Sequence, residues 1–290
     1  MTRFVEEHRD RFGVEPICTV LEIAPSTYYA ARDRELSRRA LQDAALRAEI
    51  ERVHRDNFGV YGVEKVWRQL VREGWLVGRD RVARLMHVLG LRGITRRRTT
   101  RTTIPRPDVS YPPDLLKRDF TAAAPNLKWV TDITYVHTWE GFAYTTFVVD
   151  AFSRRIVGWT VEKSLSAEAT MAALEMALWA RRHCHIVGVI AHSDKGTQFT
   201  SIRYTERLAE VGALRSVGTT GDSYDNALAE TVNGLYKAEL IHRRTWRTIA
   251  EVEAATAEWV SWWNHQRLHS ACDWLPPSEY EAQSARTAAA

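Results

Sequence analysis

The stretch KWVTDITYVHTWEGFAYTTFVVDAFSRRIVGWTV, residues 128–161, decides the fold. At its start Trp129, Thr131, Ile133 and Tyr135 alternate with Val130, Asp132, Thr134 and Val136. A period of two, written in β-branched and aromatic residues, belongs to a strand. FAYTTFVVD and RIVGWTV read as two more strands joined by a tight turn around AFSR, so the segment doubles back on itself as an antiparallel meander. Asp132 is the anomaly, because a carboxylate in the middle of a strand buried on both sides is costly unless it is paired or holds a metal ion.

Downstream, helix and strand periods alternate. SAEATMAALEMALWARR reads as a helix, IVGVIAHSD as a fourth strand, SIRYTERLAEVG as a helix, LRSVGTT as a fifth strand and DSYDNALAETVNGLYKAEL as a helix opening at Ser223. Three antiparallel strands followed by alternating helix and strand is the order of a ribonuclease H-like fold: an α/β domain with a mixed five-stranded sheet and flanking helices. This core is expected over residues 126–245. A C-terminal helix and tail, 246–290, should pack on it, with Trp259, Trp262 and Trp263 forming an apolar stripe.

Upstream the character changes. VEPICTVLEIAPSTYYAA, residues 14–31, has the spacing of a helix-turn-helix, its second helix opened by Ser26 after Pro25. Further helices are expected over 41–56 and within VEKVWRQLVREG and GRDRVARLMHVLGL, each with its own apolar face. Residues 1–94 therefore form a helical region, and 95–125, with prolines at 105, 107, 112, 113 and 125, a basic linker.

Charge is unevenly spread. Residues 1–120 carry 24 Lys+Arg against 17 Asp+Glu, the rest 16 against 19. Between Asp80 and Asp108 there are eight arginines and no acid. Such a run is either a solvated face or a phosphate-contact segment; arginine without lysine favours phosphate, because a guanidinium fork pairs two phosphate oxygens at once. Arg79, Arg81 and Arg84 at the start of one helix, and Arg96, Arg97 and Arg98 after it, are the candidates for DNA contact. Cys18, Cys184 and Cys272 are odd in number and far apart, which excludes a disulfide framework and a zinc cluster and fits a reducing cytoplasm. Neither an export signal nor an apolar run of membrane-spanning length is present, so no membrane partner is expected.

Two more carboxylates converge on Asp132. Asp194, in AHSDKGTQFT (191–200), ends the fourth strand. Alone it would be a turn former or a helix cap, but in this fold the fourth strand lies beside the first. Asn226, Glu230, Asn233 and Lys237 follow spacings of four, three and four, hence share one helix face. Two aspartates and a glutamate brought together cannot all stay ionised without cations, and an all-oxygen donor set selects Mg²⁺, with Mn²⁺ as a substitute. Two such ions, about 4 Å apart, can activate an attacking oxygen and stabilise a leaving one in phosphoryl displacement.

KWVTDITYV, VVDAFSRRIVGW, HSDKGTQFTS, GDSYDNALAETVNGLYKAEL and WWNHQRLHSACDWLPPSEYE together resemble the DDE-type insertion-sequence transposases, second-reading-frame products with a retroviral-integrase-like core. Thirty-five residues separate Asp194 from Glu230, the spacing of that family's second and third acids. YGVEKVWRQL and RVARLMHVLGL extend the resemblance into the helical region. It implies that Asp132, Asp194 and Glu230 are the catalytic, metal-binding triad. It also implies DNA cleavage by water, followed by attack of the freed 3′-hydroxyl on another phosphodiester. The implied partners are double-stranded DNA, further copies of this chain assembled on it, and an upstream-frame protein. A ribonuclease H-like nuclease without strand transfer and a non-catalytic DNA-binding regulator are the alternatives.

The remaining polar residues each have two readings. His192, pointing the same way as Asp194, either orients the site or is structural. Thr197 and Gln198 stand where DNA or metal-bound water would be. Lys237 contacts phosphate or is solvated; Asn226 and Asn233 donate to DNA, or Asn226 caps its helix. Arg267 supports the site or touches DNA, and Asp150, before AFSRR, is a turn residue.

Overall fold

A computed structural model describes residues 1–33, 37–95, 113–116, 119–194, 197–217 and 226–289. The chain divides into two compact units, Met1–Glu51 and Arg52–Ala290. No helix among the described residues is long and apolar enough to cross a membrane, and the three cysteines are free thiols.

In the first unit α1 (Thr2–Phe12), α2 (Val14–Val20) and α3 (Pro25–Arg32) close around Val5, Ile17, Cys18 and Tyr28. Helix α3 begins at Pro25 rather than Ser26, since proline's fixed φ suits a first helical position that needs no N–H bond. Helix α1 went unread in the sequence because its polar residues leave only Val5 buried. Helix α4 (Arg38–Asp56) spans the division between the units.

The second unit holds α5 (Val63–Arg72) and α6 (Arg79–Val88), with Val66, Leu70, Val82, Leu85 and Met86 turned inward. After α6 the chain returns to the segment before α5, Ile94 N–H donating to Val60 O at 3.1 Å. A Cβ on Gly93 would lie 2.6 Å from the Gly62 backbone, so only glycine permits that crossing.

The sheet runs in the order β3-β2-β1-β4-β5, with β1 Lys128–Thr138, β2 Gly141–Asp150, β3 Ile156–Glu162, β4 Ile190–Ser193 and β5 Leu214–Val217. The first three strands are the expected meander, and β1 pairs with β4, and β4 with β5, in parallel. On one face α7 (Ala167–Ala180) covers Trp129, Val148 and Val157 through Ala173, Leu174 and Ala177. On the other lie α9 (Ala227–Glu239) and α10 (Ile249–His265), with α8 (Ile202–Glu210) between β4 and β5 in the chain.

Rings fill that second face. Phe147, Tyr236, Trp259 and Trp263 follow one another at centroid spacings of 5.1, 5.2 and 4.9 Å, each pair adding about 0.5–1.5 kcal/mol beyond its buried area. The tryptophan stripe is therefore core. The last helix, α11 (Pro277–Ala289), is tied to the β2–β3 turn by Glu281, which accepts from Ser153 Oγ at 2.7 Å, Arg155 Nη1 at 2.8 Å and Arg181 Nη1 at 3.0 Å.

Candidate active site

Parallel pairing of β1 with β4 ends at Thr131 opposite Ser193, so Asp132 and Asp194 are the next residues along two adjacent strands. Asp132 faces Phe147 across the β1–β2 ladder, which sets it on the α9 side of the sheet. It is recessed, whereas Asp194 and Glu230 are exposed at the rim.

Helix α9 is fastened over this point from both sides of Glu230. Asn226 Nδ2 donates to the Thr131 carbonyl at 3.2 Å, and Asn233 Nδ2 donates to Asp132 Oδ2 at 2.9 Å. The shared face read from the spacing is real, but both asparagines are bonded to β1 instead of being turned to an outside partner. Asn226 is the N-cap residue, and its side chain makes no capping bond. Lys237, further along the same face, lies with its ammonium 4.5 Å from the Tyr135 ring centre, and burial lowers its pKa although Asp132 pulls it up.

The three acids act on one another electrostatically. The Asp132 carboxyl is pushed up to about 7, first by burial, then by the charges of Asp194 and Glu230; hydrogen bonds from Ile133 N–H and from Asn233 oppose the rise. An acid raised by burial and then by two neighbouring acids marks a site short of positive charge. Among the described residues no group of three His, Cys, Asp or Glu side chains stands close enough together to hold a metal ion. The donor set is nonetheless all oxygen, and its recessed member is the one whose ionised form a cation would stabilise.

The other sequence-derived candidates are spread out. His192 is buried between β4 and β5, with Nδ1 2.9 Å from Ser216 Oγ and its ring 6.3 Å from that of Phe120. Gln198 is half-buried in a 3₁₀ turn, Thr197–Thr200, which follows β4. Arg79 is exposed and paired with Glu64 at 3.1 Å; Arg81 is half-buried and Arg84 exposed on α6. Arg96, Arg97 and Arg98 lie outside the described residues, as does the stretch from Ser223 to the residue before Asn226.

Of the two readings of Arg267, support of the site and DNA contact, its surroundings favour support. It is buried, bonded to Glu239 at 2.6 and 3.0 Å, and stacked 4.5 Å from the Trp263 ring centre. A guanidinium enclosed with its own carboxylate is a strut between α9 and the segment after α10. Asp150 is on the opposite face of the sheet from Asp132 and accepts from Asn126 N–H at 2.8 Å and Phe152 N–H at 2.9 Å, the turn role expected of it.

Sequence reasoning missed Tyr61 and Lys65, which stand on or beside α5 and reach the segment after α10. Their signal is faint, since a contact across some two hundred residues leaves no periodicity.

Comparison with known proteins fits this geometry. The integrase core domain family matches residues 122–223, a second integrase core domain family residues 212–277, and the HTH-like domain family residues 40–99. The transposase for insertion sequence element IS629 of Shigella sonnei is 50% identical over 286 residues, covering 97% of this chain and 95% of that one. The putative transposase for insertion sequence element IS986/IS6110 of Mycobacterium tuberculosis is 53% identical over 266 residues, 90% of this chain and 96% of its own. Among solved structures, the HTLV-2 integrase catalytic core domain in complex with magnesium aligns with 55% of this chain and 98% of its own, at 16% identity and a TM-score of 0.41.

Proposed function

The chain belongs to the insertion-sequence transposases, and we propose that Asp132, Asp194 and Glu230 are the residues with which it cleaves and joins DNA. It is a polynucleotidyl transferase with an integrase core, an enzyme class that works with divalent metal ions. The observation that supports the assignment of residues is the register that makes Asp132 and Asp194 the next residues along paired strands, with α9 fastened to β1 on both sides of Glu230.

Two Mg²⁺ ions, replaceable by Mn²⁺, are the ions these three carboxylates suit. When bound they supply activation of the attacking oxygen and stabilisation of the leaving one. The chain's own residues do the rest. Asn226 and Asn233 hold α9 in register with β1, so that Glu230 stays beside Asp132. Lys237, in the same row, meets a DNA phosphate next to the reacting one. Gln198 borders the strand path, and buried His192 stiffens the end of β4 through Ser216. Water attacks one phosphodiester to free a 3′-hydroxyl; that hydroxyl attacks a second phosphodiester, and a 3′-oxygen leaves each time.

Residues 1–94 hold the element's ends, with Arg79, Arg81, Arg84 and the arginines at 96–98 on phosphates. Residues 95–125 link them to the chemistry in 126–245, and 246–290 buttress it. Two ends must be held at once, so the working form is a homo-oligomer on DNA, helped by an upstream-frame protein and acting at the nucleoid in the cytoplasm.

The test is strand transfer with Mg²⁺ on DNA bearing the element's own ends, the upstream-frame protein present, for wild type and Glu230→Gln. Joined products from the wild type, and a loss of at least about 1,000-fold (about 4 kcal/mol) in the variant with DNA binding intact, are expected. Joining by Glu230→Gln within about tenfold of wild type would remove Glu230 from the chemistry.

A further inference from the structure

On the far side of α9 the structure holds a second site. At about 3.6 residues per turn, Leu228, Val232 and Leu235 project away from Glu230. With Trp263 and Leu268 they line an open cavity of about 530 Å³. Three cationic side chains also line it: Lys65, Arg154 and Arg267.

Their charges are not balanced. Arg267 is matched by Glu239. Lys65 is half-buried, and among the described residues no carboxylate lies within ion-pair distance of it; its ammonium sits 5.0 Å from the Tyr61 ring centre. Burial, and then the neighbouring Arg267, lower the Lys65 amine to about 7 against the pull of Glu239. Arg154 donates from Nη1 to the Phe120 carbonyl at 3.1 Å and likewise has no acid in ion-pair range among the described residues. His269, buried beside Arg267, is held well below its usual pKa and adds no charge.

Arg154, and Lys65 when protonated, bring positive charge without an acid in ion-pair range to the edge of an apolar cavity, an arrangement that favours an anion because an uncompensated charge out of water is costly. The cavity's size falls within the range of about 300–1,000 Å³ typical of small-ligand sites, and its lining of apolar side chains with a few polar ones has the same character. We propose that this cavity binds an organic anion of mononucleotide size, its acidic group on Lys65 and Arg154 and its ring or chain against Leu228, Val232 and Leu235. The site is separate from the three carboxylates and does not rest on their role.

The test uses anilinonaphthalene sulfonate, an aromatic anion that fluoresces on leaving water, titrated near neutral pH into the full chain. The expected result is one saturable site, displaced by thymidine monophosphate. Affinity should fall about tenfold or more in Lys65→Met, where one cation becomes an apolar chain of similar length. Leu235→Trp, which narrows the cavity at its apolar wall and leaves the cations unchanged, should also weaken binding about tenfold or more, and circular dichroism should find both variants folded. Displacement by a 5′-phosphorylated trinucleotide as well as the monophosphate assigns the anion to DNA strand ends; displacement by the monophosphate alone assigns it to a free small molecule. Absence of saturable binding in the wild type, or equal affinity in both variants, overturns the proposal.

Discussion

At the residue scale, Asp132 couples stability to pH. Its pKa rises from the usual carboxylate value to about 7 on folding, so the folded, metal-free protein binds a proton that the unfolded chain releases. That contribution is whole below about pH 4, declines between about pH 4 and pH 7, and is gone above. Asp132→Asn removes it. In metal-free buffer the variant should melt at the same temperature relative to wild type near pH 4 as any neutral change would, then gain on wild type up to neutrality. Added Mg²⁺ should raise the melting temperature of wild type alone. A constant difference between the two melting curves from pH 4 to 7 would show that Asp132 ionises normally. Asp132 was legible in the sequence because a charge interrupts an apolar strand; the donation from Asn233 that holds it was not, since spacing reveals which residues share a face and not what that face meets.

At the element scale, the approach of α7 to the sheet depends on one missing side chain. A Cβ on Gly158 would lie 2.1 Å from the Ala173 carbonyl and 2.9 Å from Ala177 N, both backbone atoms. Gly158→Ala must push α7 off β3, and is expected to cost about 2 kcal/mol or more in urea denaturation; a loss under about 0.5 kcal/mol would mean that the helix rides freely over the strand. The strands themselves were readable from period alone, and the helices beyond them from their apolar faces. Arg267 kept two readings for a physical reason: its neighbours are polar in sequence, and only the three-dimensional partner, Glu239 on α9, reveals that it is enclosed. Helix α1 escaped for the reverse reason, having one buried residue and no stripe.

On the scale of the whole molecule, the helices after Arg52 are clasped by the last part of the chain. Leu268 N–H donates to Tyr61 Oη at 2.8 Å, Trp262 Nε1 donates to Asn57 Oδ1 at 3.0 Å, and the Phe58 and Trp262 rings lie 5.0 Å apart. Burial raises the Tyr61 hydroxyl pKa, so it stays protonated throughout the neutral range. Tyr61→Phe leaves the Leu268 N–H without its acceptor, an expected loss of about 1–3 kcal/mol. Amide exchange should quicken together in α5 and around Leu268; faster exchange in one alone would mean that the two segments open independently.

The same clasp sets a schedule for synthesis. Asn57 and its partner Trp262 are 205 residues apart. At about 5–20 residues per second, the segment around Asn57 waits about 10–40 s for the residues that cover it. During that interval Val60 and Tyr61, buried in the finished protein, are open to solvent and to any chaperone at the ribosome. The clasp is thus completed only when residues 262–268 have been made, and a nascent chain stopped before Trp262 cannot form it.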